Sequence, residues 1–439
     1  MGVISSRGRK HIDGQKHLTA SNEIINITNK DVIGKIYIPI VGPNGADMEV
    51  LVNDGDQVKV GTKLAIRKDF GIPEYSPVSG KVIGKENRYH CSIGRPVQHL
   101  VIENDFKDEK TKNPSMIVPL EASRQEIIDA IKEAGIVGLG GAGFPTYVKY
   151  NGVEGIETIL INGIECEPYL TTDYRIMKDK CELMLLGIQY LIKAANAQTA
   201  VIAIKKGKKE LKEKIEEVLA KYPNVSLREV SDVYPMGWER TLIHEVFKKD
   251  YDRLPAEIGV IVNNAQTAIS VADALINGNP ITHRCITVSG DAIARPANVI
   301  VPVGTVAGLI IKELGGYTKE DVNVLAGGPM TSKGLMNDTF AITYCTGGIT
   351  VMERRYYKTE PCLRCGSCIK HCPASIQPVN IMNAVKAKDN KRLEELETNR
   401  CIECGLCSFV CPSKIEVTDF VKKGKLQLKI AAMKKNIKK

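Results

Sequence analysis

The sequence predicts an α/β protein made of several domains, and three features of the chain support this prediction. The chain has 439 residues, enough for about two to four domains of ordinary size. Two apolar segments, residues 158–161 and 258–262, have the character of strands, and each leads through a polar turn toward a helical pattern. Eight of the 13 cysteines lie in two tight runs near the C-terminus. We therefore expect α/β domains followed by a cysteine-rich one.

The charge and hydropathy of the chain exclude some classes of protein. The net charge of +9 comes mostly from residues 421–439, which contain eight lysines and no acidic residue. The rest of the chain is close to neutral, so we expect no nucleic-acid partner. The longest apolar run, residues 299–311, contains Pro302 and is shorter than the ~20 residues that span a bilayer. We expect no transmembrane segment.

The two cysteine runs share the spacing C-x2-C-x2-C-x3-C-P. Their members are Cys362, Cys365, Cys368 and Cys372 in the first run, and Cys401, Cys404, Cys407 and Cys411 in the second. In two-cluster ferredoxins the fourth cysteine of such a run binds the other [4Fe–4S] cluster. We therefore assign Cys411 to the first cluster and Cys372 to the second. Two zinc sites are the alternative, but zinc does not explain the repeated Cys-Pro.

The cysteine content also indicates a compartment and a further cofactor. An odd number of clustered cysteines is typical of metal binding in a reducing cytoplasm rather than of a secreted disulfide framework. Iron–sulfur clusters carry electrons singly, whereas a nicotinamide donates two as a hydride. Because a flavin is the usual converter between the two, we expect a flavin site upstream of the cysteines.

A glycine-rich loop begins at residue 138 and reads "GLGGAGFPTYVKY". Gly138, Gly140 and Gly143 fit G-x-G-x-x-G, but the dinucleotide-binding fingerprint follows a strand and opens a helix. Here a helix with a capping box at Ser123 precedes the loop and ends at Gly135. The loop is therefore not a Rossmann fingerprint. It offers backbone amides to a phosphate or a flat ring, or is a purely structural turn.

Polar residues follow both predicted strands. They are Asn162, Glu165 and Glu167 after the first strand, and Asn263, Asn264 and Thr267 after the second. Strand ends that lead into helices are where α/β folds bind ligands. Asparagine side chains both donate and accept hydrogen bonds, as the edge of an isoalloxazine ring requires.

Together these motifs resemble a known family. The glycine loop, "NGIECEP" and "VNNAQT", in this order, resemble the NADH- and flavin-binding subunit of respiratory complex I. With "YPMGWERTLI" and the paired cysteine runs, the chain is similar to the RnfC-like family, above all to its PrdC branch of electron-transfer proteins associated with proline reductase. The resemblance covers nearly the whole chain. It implies FMN, NADH and two [4Fe–4S] clusters as cofactors.

The resemblance also implies a role for individual residues. The residues implied to hold FMN and NADH are Gly138, Gly140, Gly141, Gly143, Phe144, Lys149, Asn162, Asn263, Asn264 and Thr267. Phe144 would stack on a ring, with an ordinary core phenylalanine as the alternative. Lys149 would neutralise a phosphate or the reduced flavin. Glu165 and Glu167 would orient the nicotinamide, so these two and Lys149 are the candidate catalytic residues.

The chain departs from the family after the segment "VIAI". The family typically has an acidic residue there, which would suit the ribose of NADH. This chain has Lys205, Lys206, Lys208 and Lys209 instead. The departure allows NADPH as a donor besides NADH.

Five domains are expected from these motifs. They are a barrel-sandwich domain (residues 1–115), an FMN- and NADH-binding α/β domain (116–280), a β-grasp domain of the SLBB type (281–345), a dicluster ferredoxin-like domain (346–424) and a basic amphipathic tail (425–439). Asp69 occupies the carrier-lysine position of biotinyl and lipoyl domains, so we expect neither group. Cys91, beside His90, is either a reactive thiol or an inert one.

The resemblance implies an NADH-oxidising protein that passes single electrons through two clusters to a protein acceptor. A cytoplasmic reductase such as proline reductase is the acceptor that we expect. The alternatives are the RnfC subunit of a membrane ion-translocating ferredoxin:NAD oxidoreductase, and a flavin-free ferredoxin-like adaptor. Leu426, Ile430, Met433 and Ile437 recur at helical spacing among lysines. This pattern favours docking to an acidic partner over peripheral binding to a membrane.

Overall fold

The chain forms two structural units, each of which is described by itself. The computed structural model describes residues 9–28, 32–332 and 334–437. The larger unit contains residues 14–230 and 254–354, and the smaller one contains residues 231–253 and the described residues before 14 and after 354.

An antiparallel sandwich forms the first part of the larger unit, after a short strand β1 (Ile25–Asn26). Its strands are β2 (Lys35–Pro39), β3 (Met48–Val50), β4 (Gln57–Val58), β5 (Lys63–Arg67), β6 (Ile72–Tyr75), β7 (Gly80–Tyr89) and β8 (Pro96–Asn104). They make two sheets, in the orders β2-β8-β7-β4 and β3-β5-β6. Both sheets contribute side chains to one buried cluster, which includes Ile36, Leu64 and Leu100. This is the barrel-sandwich domain that the sequence predicts.

The first helix and the glycine loop follow. Helix α1 (Arg124–Glu133) begins at Ser123, whose side chain and that of Glu126 form the expected capping box. The chain turns at Gly135, which has a φ of 65°. The glycine loop then lies inside a small hairpin closed by a bridge between Val137 and Pro145. Only a short 3-10 helix follows it, so the loop is not a dinucleotide-binding fingerprint.

A four-stranded parallel sheet with neighbouring helices comes next. Its strands and neighbouring helices are β9 (Thr158–Asn162), α2 (Thr172–Asp179), α3 (Cys181–Ala195), β10 (Thr199–Lys205), α4 (Lys209–Leu219), β11 (Val225–Val230), β12 (Val260–Asn264) and α6 (Ala265–Asn277), while α5 (Glu239–Phe247) belongs to the smaller unit. The strand order is β11-β10-β9-β12, with all neighbours parallel. The order reverses between β9 and β12. In open α/β sheets such a switch point is where ligands bind.

A mixed sheet with one helix completes the larger unit. Its elements are β13 (His283–Ser289), β14 (Ala297–Pro302), α7 (Ala307–Glu313), β15 (Val322–Ala326), β16 (Gly334–Leu335) and β17 (Gly348–Glu353). A β13–β14 hairpin leads to the helix, and β17 returns parallel to β13, as in a β-grasp fold. Strand β17 lies beyond residue 345, the end expected for this domain. The sheet needs β17 because it pairs with both β13 and β15.

The smaller unit contains the cysteine runs within an internal repeat. Its helices after residue 354 are α8 (Ser367–Lys370), α9 (Pro378–Lys386), α10 (Asn390–Glu395), α11 (Leu406–Phe409) and α12 (Val417–Ile437). Each run has a loop, a short helix and a longer helix, and Cys401 stands 39 positions after Cys362. Helix α12 runs through the expected boundary at residue 425, and Leu428 on it is buried in the core of the unit. The residues after 425 therefore continue this domain.

Candidate functional site

The carboxyl ends of β9 and β12 bring two of the expected residues side by side. Asn162 and Asn264 are register partners at the switch point. The Oδ1 atom of Asn264 caps α6 by accepting from the backbone N of Gln266 at 2.9 Å. Oδ1 of Asn162 accepts from the backbone N of Ile164 at 3.0 Å. The two turns expected to hold a flavin therefore lie together, as strand pairing requires.

The glycine loop lies over the first turn of α6. The backbone N of Leu139 donates to Oγ1 of Thr267 at 3.0 Å, and a Cβ on Gly140 would lie 3.5 Å from Asn264. Gly140 and Gly141 are exposed, and Phe144 is 40% exposed. The loop therefore presents bare backbone and one aromatic ring to solvent beside the switch point. This arrangement suits a flat ring or a phosphate.

Glycine is needed at different positions of the loop for different structural reasons. Gly141 has a φ of 106° and open space where a Cβ would be. Gly143 has a φ of 59°, and a Cβ there would lie 2.4 Å from Sγ of Cys345. Gly143 is thus required by packing, whereas Gly140 and Gly141 leave room for a ligand.

Lys149 contacts strand β12 and Asn263 belongs to it, but their side chains have different partners. The Nζ atom of Lys149 donates to the carbonyl of Val262 at 2.7 Å. Asn263 is 3% exposed, and its Nδ2 donates to the hydroxyl of Tyr150 at 2.5 Å. The structure thus places the Lys149 ammonium beside the switch point, while the amide of Asn263 is used within the fold.

The two glutamates of the first turn have distinct surroundings. Oε1 of Glu165 accepts from the backbone N of Asp173 at 3.3 Å, and Lys16 donates to the Glu165 carbonyl at 2.7 Å. Burial raises the pKa of Glu165 and lowers that of Lys16, and their mutual attraction opposes both shifts. The carboxylate of Glu167 accepts from the Thr331 hydroxyl and, at 3.1 Å, from the backbone N of Met330. Glu167 therefore ties the turn to the β-grasp domain.

A buried polar network joins the three motifs through Asp173, Gln266 and Arg284, which are not among the site residues that the sequence predicts. Asp173 accepts from Asn264 at 2.9 Å and from Gln266 at 2.7 Å. Arg284, 2% exposed, donates to Gln266 and to the carbonyl of Leu139, both at 3.2 Å. A lone arginine in an apolar strand was a signal for Arg284. Lys16 gives no local signal, because it lies 149 positions from Glu165.

Two atoms of this network support the fit of a cofactor. Nε of Arg284 and Oε2 of Glu165 are buried and have no hydrogen-bond partner among the described residues. Buried polar atoms are normally paired, so such exceptions occur where a ligand or water belongs. Together with the exposed glycines and the Lys149 ammonium, they fit a group with a polar ring edge and a phosphate, as FMN has.

In the smaller unit, four cysteines from both runs surround one cavity. Cys372, Cys401, Cys404 and Cys407 line it together. Burial raises the pKa of the Cys401, Cys404 and Cys407 thiols, and the negative charge of Cys372 adds to the rise in each. Cys372 therefore lies with the second run, as the crosswise assignment requires. Among the described residues no three His, Cys, Asp or Glu side chains form a site for a single metal ion.

The backbone of both runs is preorganised in the same way. Gly366 and Gly405 have φ values of 74° and 76°, and Arg364 and Glu403 have values of 55° and 57°. The backbone N of Glu403 donates to Sγ of Cys401 at 3.3 Å, and the equivalent contact joins Arg364 to Cys362 at 3.4 Å. Alternating left-handed residues turn successive amides toward the sulfurs, which stabilises an anionic cluster.

The two cysteine sets differ in exposure. Cys362 and Cys365 are exposed, whereas all cysteines of the second run are only partly exposed. Burial raises the pKa of the Cys368 thiol, and the negative charge of Cys362 adds to the rise. Cys411 packs beside the buried cluster of Met382, Ile415 and Val417, and its place in the first cluster stays a prediction.

The lysines after the segment "VIAI" and Cys91 have defined surroundings in the structure. Lys205 is 7% exposed, and Lys208 lies over the ring of Tyr174 at 5.2 Å. Cys91 is 5% exposed, and its thiol contacts the hydroxyls of Thr343 and Thr346, which favours an inert thiol.

On α12, Leu426, Ile430 and Met433 form an exposed apolar stripe. The side chain of Ile437 lies outside the described part. Within that part, the chain has no helix with the length and apolarity that crossing a membrane requires.

The fold and these sites define a class: an electron-transfer flavo-iron–sulfur protein. Three family models match the chain: the RnfC barrel-sandwich hybrid domain at residues 5–107, the Nuo51 FMN-binding domain at residues 131–273 and the 4Fe-4S dicluster domain at residues 361–416. The expected fold classes at the two ends and centre of the chain, and the FMN and [4Fe–4S] cofactors, are thereby confirmed.

Whole-chain relatives identify the family. The chain is 34% identical to the C subunit of the proton-translocating ferredoxin:NAD(+) oxidoreductase complex of Clostridium ljungdahlii, over 88% of this chain and 85% of the relative. It is 34% identical to the C subunit of the ion-translocating oxidoreductase complex of Rhodobacter capsulatus, over 88% and 76%. It is 33% identical to the Na(+)-translocating counterpart of Acetobacterium woodii, over 79% and 80%. The chain belongs to the RnfC family.

A solved structure can be compared with this fold. It is an NAD+-reducing [NiFe]-hydrogenase in the air-oxidized state, with a TM-score of 0.51, 18% identity, and coverage of 73% of this chain and 65% of that chain. None of the relatives named here is associated by name with proline reductase, so the comparisons do not support the expected PrdC branch.

Proposed function

We propose that this chain is the peripheral, nucleotide-binding C subunit of an ion-translocating ferredoxin:NAD oxidoreductase complex. The observation that carries the proposal is the whole-length similarity to such proteins, at 34% identity over 85% of a relative. This replaces a cytoplasmic reductase such as proline reductase as the favoured acceptor. The partners are then other subunits of the same complex at the cytoplasmic membrane face.

Residues of the glycine loop and of the two strand ends have distinct roles at the proposed flavin site. When bound, FMN accepts a hydride and returns electrons singly, and the [4Fe–4S] clusters carry them onward. Gly140 and Gly141 let the backbone approach the flavin, and Lys149 compensates negative charge. Asn162 and Asn264 set the position of the turns at the switch point. Hydride transfer then needs positioning more than acid–base catalysis.

The eight cysteines are the proposed cluster ligands. Cys372 joins Cys401, Cys404 and Cys407, whose thiols line the same cavity, and Cys411 joins the remaining three. Crosswise ligation keeps the two clusters close enough for electrons to pass between them. The direction of transfer in the cell depends on the partner's potential.

Cofactor analysis and a partner experiment test this proposal. Anaerobically prepared protein should contain about one FMN and about eight irons per chain, and it should reduce ferricyanide with NADH. Flavin-free protein with a full iron content would instead support the adaptor alternative. Affinity purification of the chain from native membranes should retain integral membrane subunits. Recovery of a reductase from the cytoplasmic fraction, with no membrane protein of such a complex, would contradict the proposal.

A further inference from the structure

The β5–β6 hairpin of the barrel-sandwich domain contacts the glycine loop of the flavin domain. Its tip, residues 68–71, is the turn at which carrier domains hold their modified lysine, and Asp69 stands there in this chain. Ile72 of the hairpin and Val137 and Leu139 of the loop region share one buried cluster, against which Phe70 packs. The two domains therefore share a core at this point.

Arg67 is the polar link between hairpin and loop. The guanidinium is buried, and Nη1 donates to the carbonyl of Gly143 at 3.2 Å. Nη2 and Nε donate to the two oxygens of Asp69 at 2.8 and 3.2 Å. This two-point pairing with one carboxylate orients the guanidinium of Arg67. Asp69 thus orients the Arg67 side chain, which in turn binds the glycine loop at Gly143.

Aromatic contacts run alongside the polar link. The rings of Phe70 and Phe144 meet edge to face, with centroids 5.7 Å apart and planes at 69°. The hydroxyl of Tyr147 donates to the carbonyl of Phe70 at 2.8 Å. Phe144 remains 40% exposed on the loop that presents Gly140 and Gly141 to solvent. Phe70 therefore fixes the orientation of an exposed ring at the edge of the flavin site.

We propose that this hairpin is a working part of the flavin site, where Arg67 positions the glycine loop and Phe70 holds Phe144 as a platform for a planar ring of the bound nucleotide. The inference rests on the proposed function. In this proposal the turn at residues 68–71 holds no prosthetic group. It instead positions residues of the flavin site in the neighbouring domain. Aromatic rings held rigidly at a pocket edge bind flat rings with little loss of entropy.

Three substitutions test the hairpin in the holoprotein. Arg67→Lys should weaken FMN binding, measured by flavin fluorescence, about tenfold, because a lysine lacks the planar fork. Arg67→Met should weaken it further. Phe70→Leu keeps apolar volume but removes the ring, and it should raise KM for NADH roughly fivefold with kcat little changed. Phe106→Leu, at a phenylalanine that is 46% exposed elsewhere in the same domain, is the matched control and should change neither quantity.

Reduced nicotinamide mononucleotide distinguishes the two possible rings. If Phe70→Leu raises KM for NADH alone, the platform binds the adenine, and if it raises both, the platform binds the nicotinamide. Wild-type values of FMN affinity and KM in Phe70→Leu and Arg67→Lys would overturn the inference. The inference would also be wrong if Phe70→Leu and Arg67→Lys both lowered the melting temperature of the apoprotein but left FMN affinity and KM unchanged. A wild-type protein that binds no FMN would instead defeat the proposed function.

Discussion

Alanine substitutions at Gly140 and Gly143 separate the ligand-facing part of the glycine loop from its structural part. A Cβ at Gly143 would lie 2.4 Å from Sγ of Cys345 and 3.1 Å from Cγ of Pro43, at a φ of 59°. Left-handed backbone costs a non-glycine residue about 1–2 kcal/mol, and overpacking costs about 1–3 kcal/mol. We therefore expect Gly143→Ala to lower the free energy of unfolding by about 2–5 kcal/mol.

Gly140→Ala should behave in the opposite way. A Cβ there would lie 3.5 Å from its nearest neighbour, which is ordinary contact, and Gly140 is not in the left-handed region. The apoprotein should keep its stability within about 0.5 kcal/mol. Because the new methyl group lies against Asn264 at the proposed flavin site, FMN affinity should fall about tenfold or more, or ~1.4 kcal/mol.

Thermal melting of the apoprotein and FMN fluorescence titration measure the two effects separately. Gly143→Ala should melt roughly 5–15 °C lower than the wild type. Gly140→Ala should have the melting temperature of the wild type. If Gly140→Ala binds FMN with wild-type affinity, the loop does not contact the flavin. If Gly143→Ala melts with the wild type, the packing argument at Cys345 is wrong.

Four further predictions concern the clusters, the nucleotide and the partner. Cys372→Ser should damage the cluster of Cys401, Cys404 and Cys407, and selective loss of the other cluster's EPR signal would show that the crossing is wrong. Glu167→Gln keeps the shape but removes the charge, so flavin reduction by NADH should slow while FMN stays bound; an unchanged stopped-flow rate removes Glu167 from the site. Lys205→Glu should lower kcat/KM for NADPH relative to NADH, and an unaltered ratio discards a role for Lys205 in nucleotide choice. Serine at both Leu426 and Ile430 should slow reduction of the native acceptor but not of ferricyanide; liposome binding that is lost in this variant would instead indicate a membrane contact.

The stripe substitutions are preferable to truncating the chain after Lys425. Leu428 on the same helix is buried in the core of the cysteine domain, and Lys425 itself donates to the carbonyl of Cys401 at 3.1 Å. Truncation would therefore damage the fold near the second cluster. Leu426 and Ile430, at 57% and 45% exposure, can be changed without that effect.

The sequence by itself determined the parts of this protein that are encoded locally. The ligand spacing of a cluster is set within a run of some ten residues, so spacing alone predicts Cys372 and its neighbours as ligands. The same holds for the turns at Asn162 and Asn264, because a strand, a polar turn and a helix follow one another along the chain. The capping box at Ser123 likewise showed that the glycine loop follows a helix.

Only the tertiary structure decided which distant residues complete the sites. Arg67 meets Gly143 across 76 positions, Lys16 meets Glu165 across 149, and Arg284 meets Leu139 across 145. No periodicity or motif records such pairs, because they depend on how separately encoded elements pack together. Burial has the same origin: Lys205 stands in a lysine-rich stretch of the sequence, but at the end of β10 it is only 7% exposed.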